Sequence, residues 1–253
     1  MLSKLNSVSV NFNQLNVVAQ LSMSYSITPL GDSALTVDFG NIISDEINSK
    51  VLLLAQALGK ASLPGIKDIV PAYSSITVFY DIITLLKSYI NKSAFSLMSA
   101  QIEARILNIT ETIVADNRTL TVPVCYSLKY GLDLQDISEQ TKMTIEEIIQ
   151  LHTANEYKVY MIGFLPGFAY MGNVDERIAV PRKSEPRLNV EAGFVGIAGK
   201  QTGIYPVISP GGWQIVGRTP IKLFDKGKHE PVFFRAGDRV RFNAITEDEF
   251  DNY

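Results

Sequence analysis

Between Gly163 and Pro220 the chain carries glycine and proline at a density that leaves the backbone few shapes to adopt. Gly163-Phe164-Leu165-Pro166-Gly167-Phe168-Ala169-Tyr170-Met171-Gly172 is followed by Pro181-Arg182-Lys183-Ser184-Glu185-Pro186-Arg187, then Ala198-Gly199-Lys200-Gln201-Thr202-Gly203-Ile204-Tyr205-Pro206 and Ser209-Pro210-Gly211-Gly212-Trp213. Glycine admits positive φ and close backbone approach, and proline fixes φ and removes a donor, so this stretch specifies particular loop shapes. Tight turns account for the glycines and prolines. They do not account for the arginines, glutamine and tryptophan among them. Stacking faces and fixed cations on shaped loops are what a small polar ligand or a protein partner needs.

With 253 residues, 46% of them apolar, the chain has enough material for one large domain or two smaller ones. Its 23 basic and 26 acidic residues leave a net charge of −3, which offers no electrostatic footprint for nucleic acid or an anionic membrane. Cys125 is the single cysteine, which rules out an intrachain disulfide and a cysteine zinc site and fits a reducing cytoplasm. Residues 1–22 are rich in Asn, Ser and Gln and lack the charged and apolar regions of a signal peptide. Met23 is expected to be the initiator, with the preceding segment disordered or outside the coding region. No apolar run reaches the roughly 20 residues that span a bilayer. The Asn-x-Ser/Thr matches at Asn91, Asn108 and Asn117 are accordingly read as chance.

In chain order, Tyr25 to Leu30 and Ala34 to Phe39 read as strands joined at Gly31-Asp32. Ser44 caps a helix with Asp45 and Glu46 in its first turn and Ile47, Val51, Leu54 and Leu58 at helical spacing, ending at Gly59. Ile66 to Val70 and Ser74 to Tyr80 form a second strand pair turned around Pro71-Ala72. A second helical stretch, starting near Thr84 or near Ser93, carries Phe95, Met98, Ile102, Ile106, Ile109 and Ile113. The spacing predicts an α+β N-terminal domain over residues 23–117, a ββαββα two-layer sandwich, with a polar break at Asp116-Asn117-Arg118.

Residues 118–253 read as a mainly-β domain. Thr119 to Tyr126 contains Pro123, which predicts an edge strand or a strand that ends there. Asp133 and Thr144 read as helix N-caps, with Asp136 and Glu147 three residues on, the second pair a capping box. In the helix after Thr144, His152 shares a face with Ile145, Ile148 and Ile149, the pattern of a core histidine satisfied by a hydrogen bond. Short strands then alternate with turns at Val159 to Ile162, Phe194 to Ala198, Gln214 to Gly217, Pro231 to Phe234 and Arg239 to Phe242, which predicts a barrel or sandwich.

Several chemistries fail at the level of motif. Ala198-Gly199-Lys200-Gln201-Thr202 resembles a phosphate-binding loop, but Phe194 stands where its first glycine belongs and Gln201 where the magnesium-binding hydroxyl belongs. His152 and His229 are the only histidines, and there is no Gly-x-Ser-x-Gly elbow, which disfavours a histidine metal site and a hydrolase triad. Arg182, Lys183 and Arg187 form a small basic cluster suited to a carboxylate or phosphate, or else a solvated loop with Glu185 as counter-charge. Gln201, Thr202 and Arg218 supply donors able to polarise an amide carbonyl if they converge.

Taken together, Val159-Tyr160-Met161-Ile162-Gly163-Phe164-Leu165-Pro166-Gly167-Phe168, Pro181-Arg182, Gln201-Thr202-Gly203-Ile204-Tyr205-Pro206, Ser209-Pro210-Gly211-Gly212-Trp213 and Gly217-Arg218-Thr219-Pro220 resemble the PxpB and KipI family, the B subunits of 5-oxoprolinase, also labelled allophanate hydrolase subunit 1. The resemblance runs from about Tyr25 to the end. It implies a small α/β domain followed by a cyclophilin-like β-barrel. It further implies a chain inactive alone that works with the C and A subunits of the enzyme to open the lactam of 5-oxoproline to glutamate, with consumption of ATP. No cofactor is expected on this chain itself; ATP is used by the complex. Two other roles are carried by relatives of this kind: inhibition of a sensor histidine kinase, and a part in biotin-dependent carboxyl transfer to urea-like amides.

On this resemblance the pocket is expected to be walled by Phe164, Pro166, Gly167 and Phe168, with Tyr205, Pro206, Ser209, Gly211, Gly212 and Trp213 from the later turns. Gln201 and Thr202 are expected at the amide, Arg182 or Arg218 at a carboxylate, and Arg187 among the substrate-binding residues. His152 joins Gln201 and Arg218 as a catalytic candidate, because family members carry histidine there. One departure stands out: Ser127-Leu128-Lys129 follows Tyr126 where relatives show Gly-Gly-Glu, reversing a charge.

Overall fold

The computed structural model describes residues 24–61, 63–87, 92–107 and 118–253. The expected N-terminal extension with Met23, the Asp116-Asn117 break, Asn91, Asn108 and the helical positions Ile109 and Ile113 lie outside them. The chain begins with β1 (Ser26–Pro29), β2 (Ala34–Asp38), α1 (Asp45–Lys60), β3 (Ile66–Pro71), β4 (Ser75–Tyr80), α2 (Ile82–Leu86) and α3 (Ala94–Leu107). The strands form one antiparallel sheet in the order β1-β2-β4-β3. Leu35 and Val37 of β2 alternate with exposed or half-buried neighbours, as do Ile76 and Val78 of β4, and bury against Val51, Leu54 and Leu58 of α1 and Met98 and Ile102 of α3. Both long helices therefore cover one face.

Ser44 caps α1 by accepting from the Ile47 amide. The helix runs on through Gly59 to Lys60, because a single glycine in a last turn costs only about 1 kcal/mol. The second helical stretch divides into α2, capped by Asp81, and α3, so both expected starting points mark real helices.

The remaining residues form β5 (Thr119–Cys125), α4 (Leu134–Thr141), α5 (Ile145–Ala154), β6 (Glu156–Ile162), β7 (Ala169–Gly172), β8 (Arg187–Val190), β9 (Phe194–Ala198), β10 (Gln201–Ile204), β11 (Ser209–Gly211), β12 (Gln214–Arg218), β13 (Arg239–Ile245) and α6 (Glu247–Asp251). Seven strands close a barrel in the order β10-β7-β6-β13-β5-β12-β9, while β8 and β11 pair apart from it. Pro123 is a correction to the sequence reading. It lies inside β5, between β12 and β13, and β5 continues to Cys125. The pairing of β5 with β12 is confined to Arg218 and Cys125, so position 123 has no ladder partner on that side to lose. Pro231 to Phe234 is a second correction: it contributes one isolated bridge, Val232 to Phe224, instead of a strand.

The two halves meet along the outward face of β6. Asn48 of α1 is fully buried, and its Nδ2 donates to Ala72 O (3.2 Å), Tyr73 O (3.3 Å) and Tyr160 O (3.1 Å). Lys158 Nζ reaches Asp45 O and Ser49 Oγ, and the Tyr160 hydroxyl donates to the Asp45 carboxylate. A buried amide shared among three carbonyls of two domains fixes their relation where apolar contact alone leaves it free to slide.

Candidate functional site

The four Gly/Pro-rich turns fold onto one end of the barrel and enclose a cleft of about 280 Å³. Phe164, Phe168 and Tyr170 come from the β6–β7 region, Arg182 and Pro186 from the loop before β8, Tyr205 from the end of β10, and Pro210 to Trp213 from β11 and the turn after it. Phe168 is the centre of the wall. Its ring lies edge-on to Phe164 (5.7 Å), Tyr170 (4.8 Å), Tyr205 (5.4 Å) and Trp213 (5.4 Å). Edge-to-face contacts of this kind hold aromatic rings in fixed orientations beyond what burial does.

The loop chemistry explains how these rings are presented. Gly167 sits at φ +85°, and a Cβ there would stand 3.2 Å from Leu223 O, so the turn that delivers Phe168 requires glycine. Phe164 adopts φ +67°, a conformation rare for residues with a side chain, and its ring is 64% exposed at the mouth of the cleft. Gly211 is needed for a different reason: a Cβ there would lie 2.4 Å from the Tyr205 hydroxyl. It is close approach to a ring, and not positive φ, that excludes a side chain.

Arg182 is the cation of the cleft. Its guanidinium lies over the Trp213 ring, 5.8 Å from the centroid, and it makes no ion pair among the described residues. Its neighbours in the expected basic cluster are committed elsewhere. Arg187 grips Asp133 through both carboxylate oxygens, at 2.8 and 2.6 Å, and Lys183 Nζ lies 2.8 Å from the same group. Behind the cleft, the Tyr73 ring of the N-terminal domain lies tilted, 5.2 Å from that of Tyr160, and edge-on, 6.2 Å from that of Tyr170. The Tyr73 hydroxyl is buried without a hydrogen-bond partner among the described residues, and burial pushes its pKa upward.

The structure separates the remaining site residues from this cleft. Arg218 and Pro206 line a second hollow of about 370 Å³ with Thr219, Lys222 and Phe250. There Arg218 pairs with Glu191 at 3.0 Å and donates to Ala192 O. Gln201 is half-buried at the start of β10, registered with Gly172 and Ala198, and Pro166 is exposed on the β6–β7 turn. Ser209 is buried in β11 with its hydroxyl unpaired among the described residues.

His152 and Thr202 lie inside the barrel. The Tyr126 hydroxyl sits 2.7 Å from His152 Nδ1, and His152 Nε2 lies 3.0 Å from Thr202 Oγ1, which in turn donates to Gly196 O at 3.0 Å. Because a carbonyl only accepts, the threonine proton goes to Gly196, so Nε2 carries the imidazole proton and Nδ1 accepts from tyrosine. Phe242 stacks on the ring at 4.7 Å, and burial holds the histidine pKa down at about 3. This is a neutral, fully satisfied imidazole. Lys129, at the expected departure from the family pattern, lies beside Tyr130 and 3.9 Å from Glu247 of the acidic helix α6, away from the cleft.

The sequence pointed to Phe164, Phe168, Arg182, Tyr205, Gly211, Gly212 and Trp213, and missed Tyr170, Pro186 and Pro210 on the lining of the cleft and Tyr73 behind it. Tyr170 falls within the same Gly/Pro-rich turn, a signal that was available. Tyr73 gave none, since its contact crosses between domains.

A four-stranded sheet with helices on one face, followed by a seven-stranded barrel with an aromatic, arginine-bearing mouth, defines the class. The family described as carboxyltransferase domain, subdomain C and D, matches residues 25–234, and the chain belongs to it, among relatives named as the B subunit of 5-oxoprolinase. The Bacillus subtilis (strain 168) protein of that name is 40% identical over 235 residues, covering 92% of this chain and 98% of that protein. The Escherichia coli O157:H7 protein is 34% identical over 213 residues, 84% of this chain and 93% of that protein. Among solved structures, TTHA0988 superposes with a TM-score of 0.72 at 34% identity over 84% of this chain, which spans only 40% of TTHA0988. No helix among the described residues is long and apolar enough to cross a membrane.

Proposed function

We propose that this chain is the B subunit of an ATP-dependent 5-oxoprolinase complex, working with the C and A subunits, and that its barrel cleft receives the cyclic amide acid. The observation that carries this reading is Arg182, a guanidinium with no carboxylate partner among the described residues, held over Trp213 at an aromatic-walled cleft. A small lactam offers flat faces to Phe168, Tyr170 and Trp213, and its carboxylate offers an acceptor for the arginine fork. Apolar walls lower the local dielectric and strengthen that pairing. Arg218, already paired with Glu191, is the weaker choice for the same task.

The reaction itself needs activation, because a lactam resists water. In this reading the γ-phosphoryl group of ATP passes to the carbonyl oxygen with release of ADP, water attacks the activated ring carbon, and phosphate leaves as the ring C–N bond opens; that the sequence does not match a phosphate-binding loop supports a partner for the ATP step. The role of this chain is to hold and orient the acid while the carbonyl is exposed to the companion proteins.

Trp213 is the single tryptophan, so it reports on the cleft directly. Titration of the purified chain with 5-oxoproline should change Trp213 fluorescence, and the chain mixed with the A and C subunits, ATP and 5-oxoproline should release glutamate. Unchanged fluorescence at millimolar ligand, together with no turnover by a folded complex, would remove the reading.

A further inference from the structure

The carboxylate held by the basic cluster of the cleft loop is the protein's own. Asp133, 1% exposed, accepts from Arg187 Nη2 (2.6 Å) and Lys183 Nζ (2.8 Å) on Oδ1, and from Arg187 Nη1 (2.8 Å) and the Ile215 amide (2.6 Å) on Oδ2. Its own amide donates to Ile215 O at 2.9 Å. Asp133 stands at the N-cap of α4, yet its side chain makes no capping bond there. One buried group thus ties the start of α4, the loop before β8 and the beginning of β12. The consequence falls on the residue between the ties. Pro181 O accepts from Gln214 Nε2 at 3.2 Å and the Lys183 amide donates to Gly212 O at 2.8 Å, so both chain neighbours of Arg182 are fixed.

We propose that Asp133 is a positioning residue for the ligand cleft: by drawing Lys183 and Arg187 inward it braces the loop and leaves Arg182 as the one cation of that cluster presented over Trp213. Two physical effects act together. A bidentate arginine pair fixes direction as well as distance, and its burial makes the brace stiff. Neutralising the two neighbouring cations also confines anion binding to a single place. The inference rests on the reading that Arg182 receives a carboxylate, and it predicts a specific defect, namely loss of preference for ligands that carry one.

The test compares 5-oxoproline with 2-pyrrolidinone, the same ring without its carboxylate, by Trp213 fluorescence on the full chain. Wild type should prefer 5-oxoproline by tenfold or more, and Arg182→Ala should abolish that preference. Asp133→Asn keeps the shape and an acceptor for Ile215 but weakens the hold on both cations. It should reduce the preference to threefold or less, with 2-pyrrolidinone binding unchanged. Lys183→Met leaves the Arg187 fork in place, and should reduce the preference about two- to fivefold; it decides the question alone if Asp133→Asn does not fold. An Asp133→Asn protein that keeps the wild-type preference, or that loses affinity for both ligands equally, overturns the inference while leaving the Arg182 reading intact. No preference in wild type removes that reading and the inference with it.

Discussion

His152 Nε2 lies 3.0 Å from Thr202 Oγ1, joining helix α5 to strand β10 through the interior of the barrel. The imidazole is neutral in the fold, with its pKa held at about 3 against 6.5 in an unfolded chain. Below pH 6.5 the unfolded chain takes up a proton that the folded one refuses, so this contribution to stability is complete above 6.5 and falls away towards pH 3. The slope is about 1.4 kcal/mol per pH unit. His152→Asn should be less stable than wild type at pH 7, by about 2 kcal/mol or more, through lost packing and a Tyr126 hydroxyl left without its acceptor, while Thr202 keeps its bond to Gly196 O. Urea denaturation at pH 7 and pH 5 should show that gap narrowing by about 2 kcal/mol on acidification. A gap that stays constant would contradict a neutral buried imidazole.

Arg182 and Arg218 occupy different hollows, and substitution should tell them apart. Loss of a charge-assisted contact is worth about 1.5–3 kcal/mol, so Arg182→Ala should weaken 5-oxoproline binding roughly 10- to 100-fold. Arg218→Ala removes a rim ion pair with Glu191 and should change binding less than threefold in the isolated chain. Fluorescence titration of both variants checks the ordering, and a reversed order would move the site to the second hollow.

Gly211 tests the close approach of Tyr205. Even Gly211→Ala brings a methyl group to about 2.4 Å from the hydroxyl, so the ring that forms part of the cleft wall must shift. Gly211→Val should lower stability by about 1–3 kcal/mol and alter Trp213 emission without ligand. An unchanged melting temperature and spectrum would show that the ring yields freely.

Tyr73 carries a buried hydroxyl with no partner among the described residues. Leaving such a group unpaired costs about 1–3 kcal/mol, so Tyr73→Phe should raise stability by about 1 kcal/mol while keeping the ring contacts with Tyr160 and Tyr170. Chemical denaturation decides this, and destabilisation on removing the oxygen would reveal a hydrogen bond not apparent in the fold.

Local signals in the chain proved readable wherever the cause was local. Ser44 capping α1 and the Thr144–Glu147 capping box depend on residues three apart, and both are present in the structure. Val159 to Ile162 and Phe194 to Ala198 are strands, as their β-rich patterning indicates. Pro123 misled because its tolerance depends on the register of β12, a strand almost a hundred residues away in sequence. Asp133 stands at the N-cap of α4, as its position indicates, but two cations from a distant loop and the Ile215 amide hold its side chain in place of the helix amides.

The sequence by itself determined which residues would be rings, which would be turns and which would carry charge, and so identified the glycine- and proline-rich loops as the place to look. Only the tertiary structure decided which of those charges stays available. Asp133 takes Arg187 and Lys183, Glu191 takes Arg218, and Arg182 remains over Trp213. Charge is a property of a residue, whereas the pairing of a charge depends on which distant group the folded backbone brings within about 3 Å.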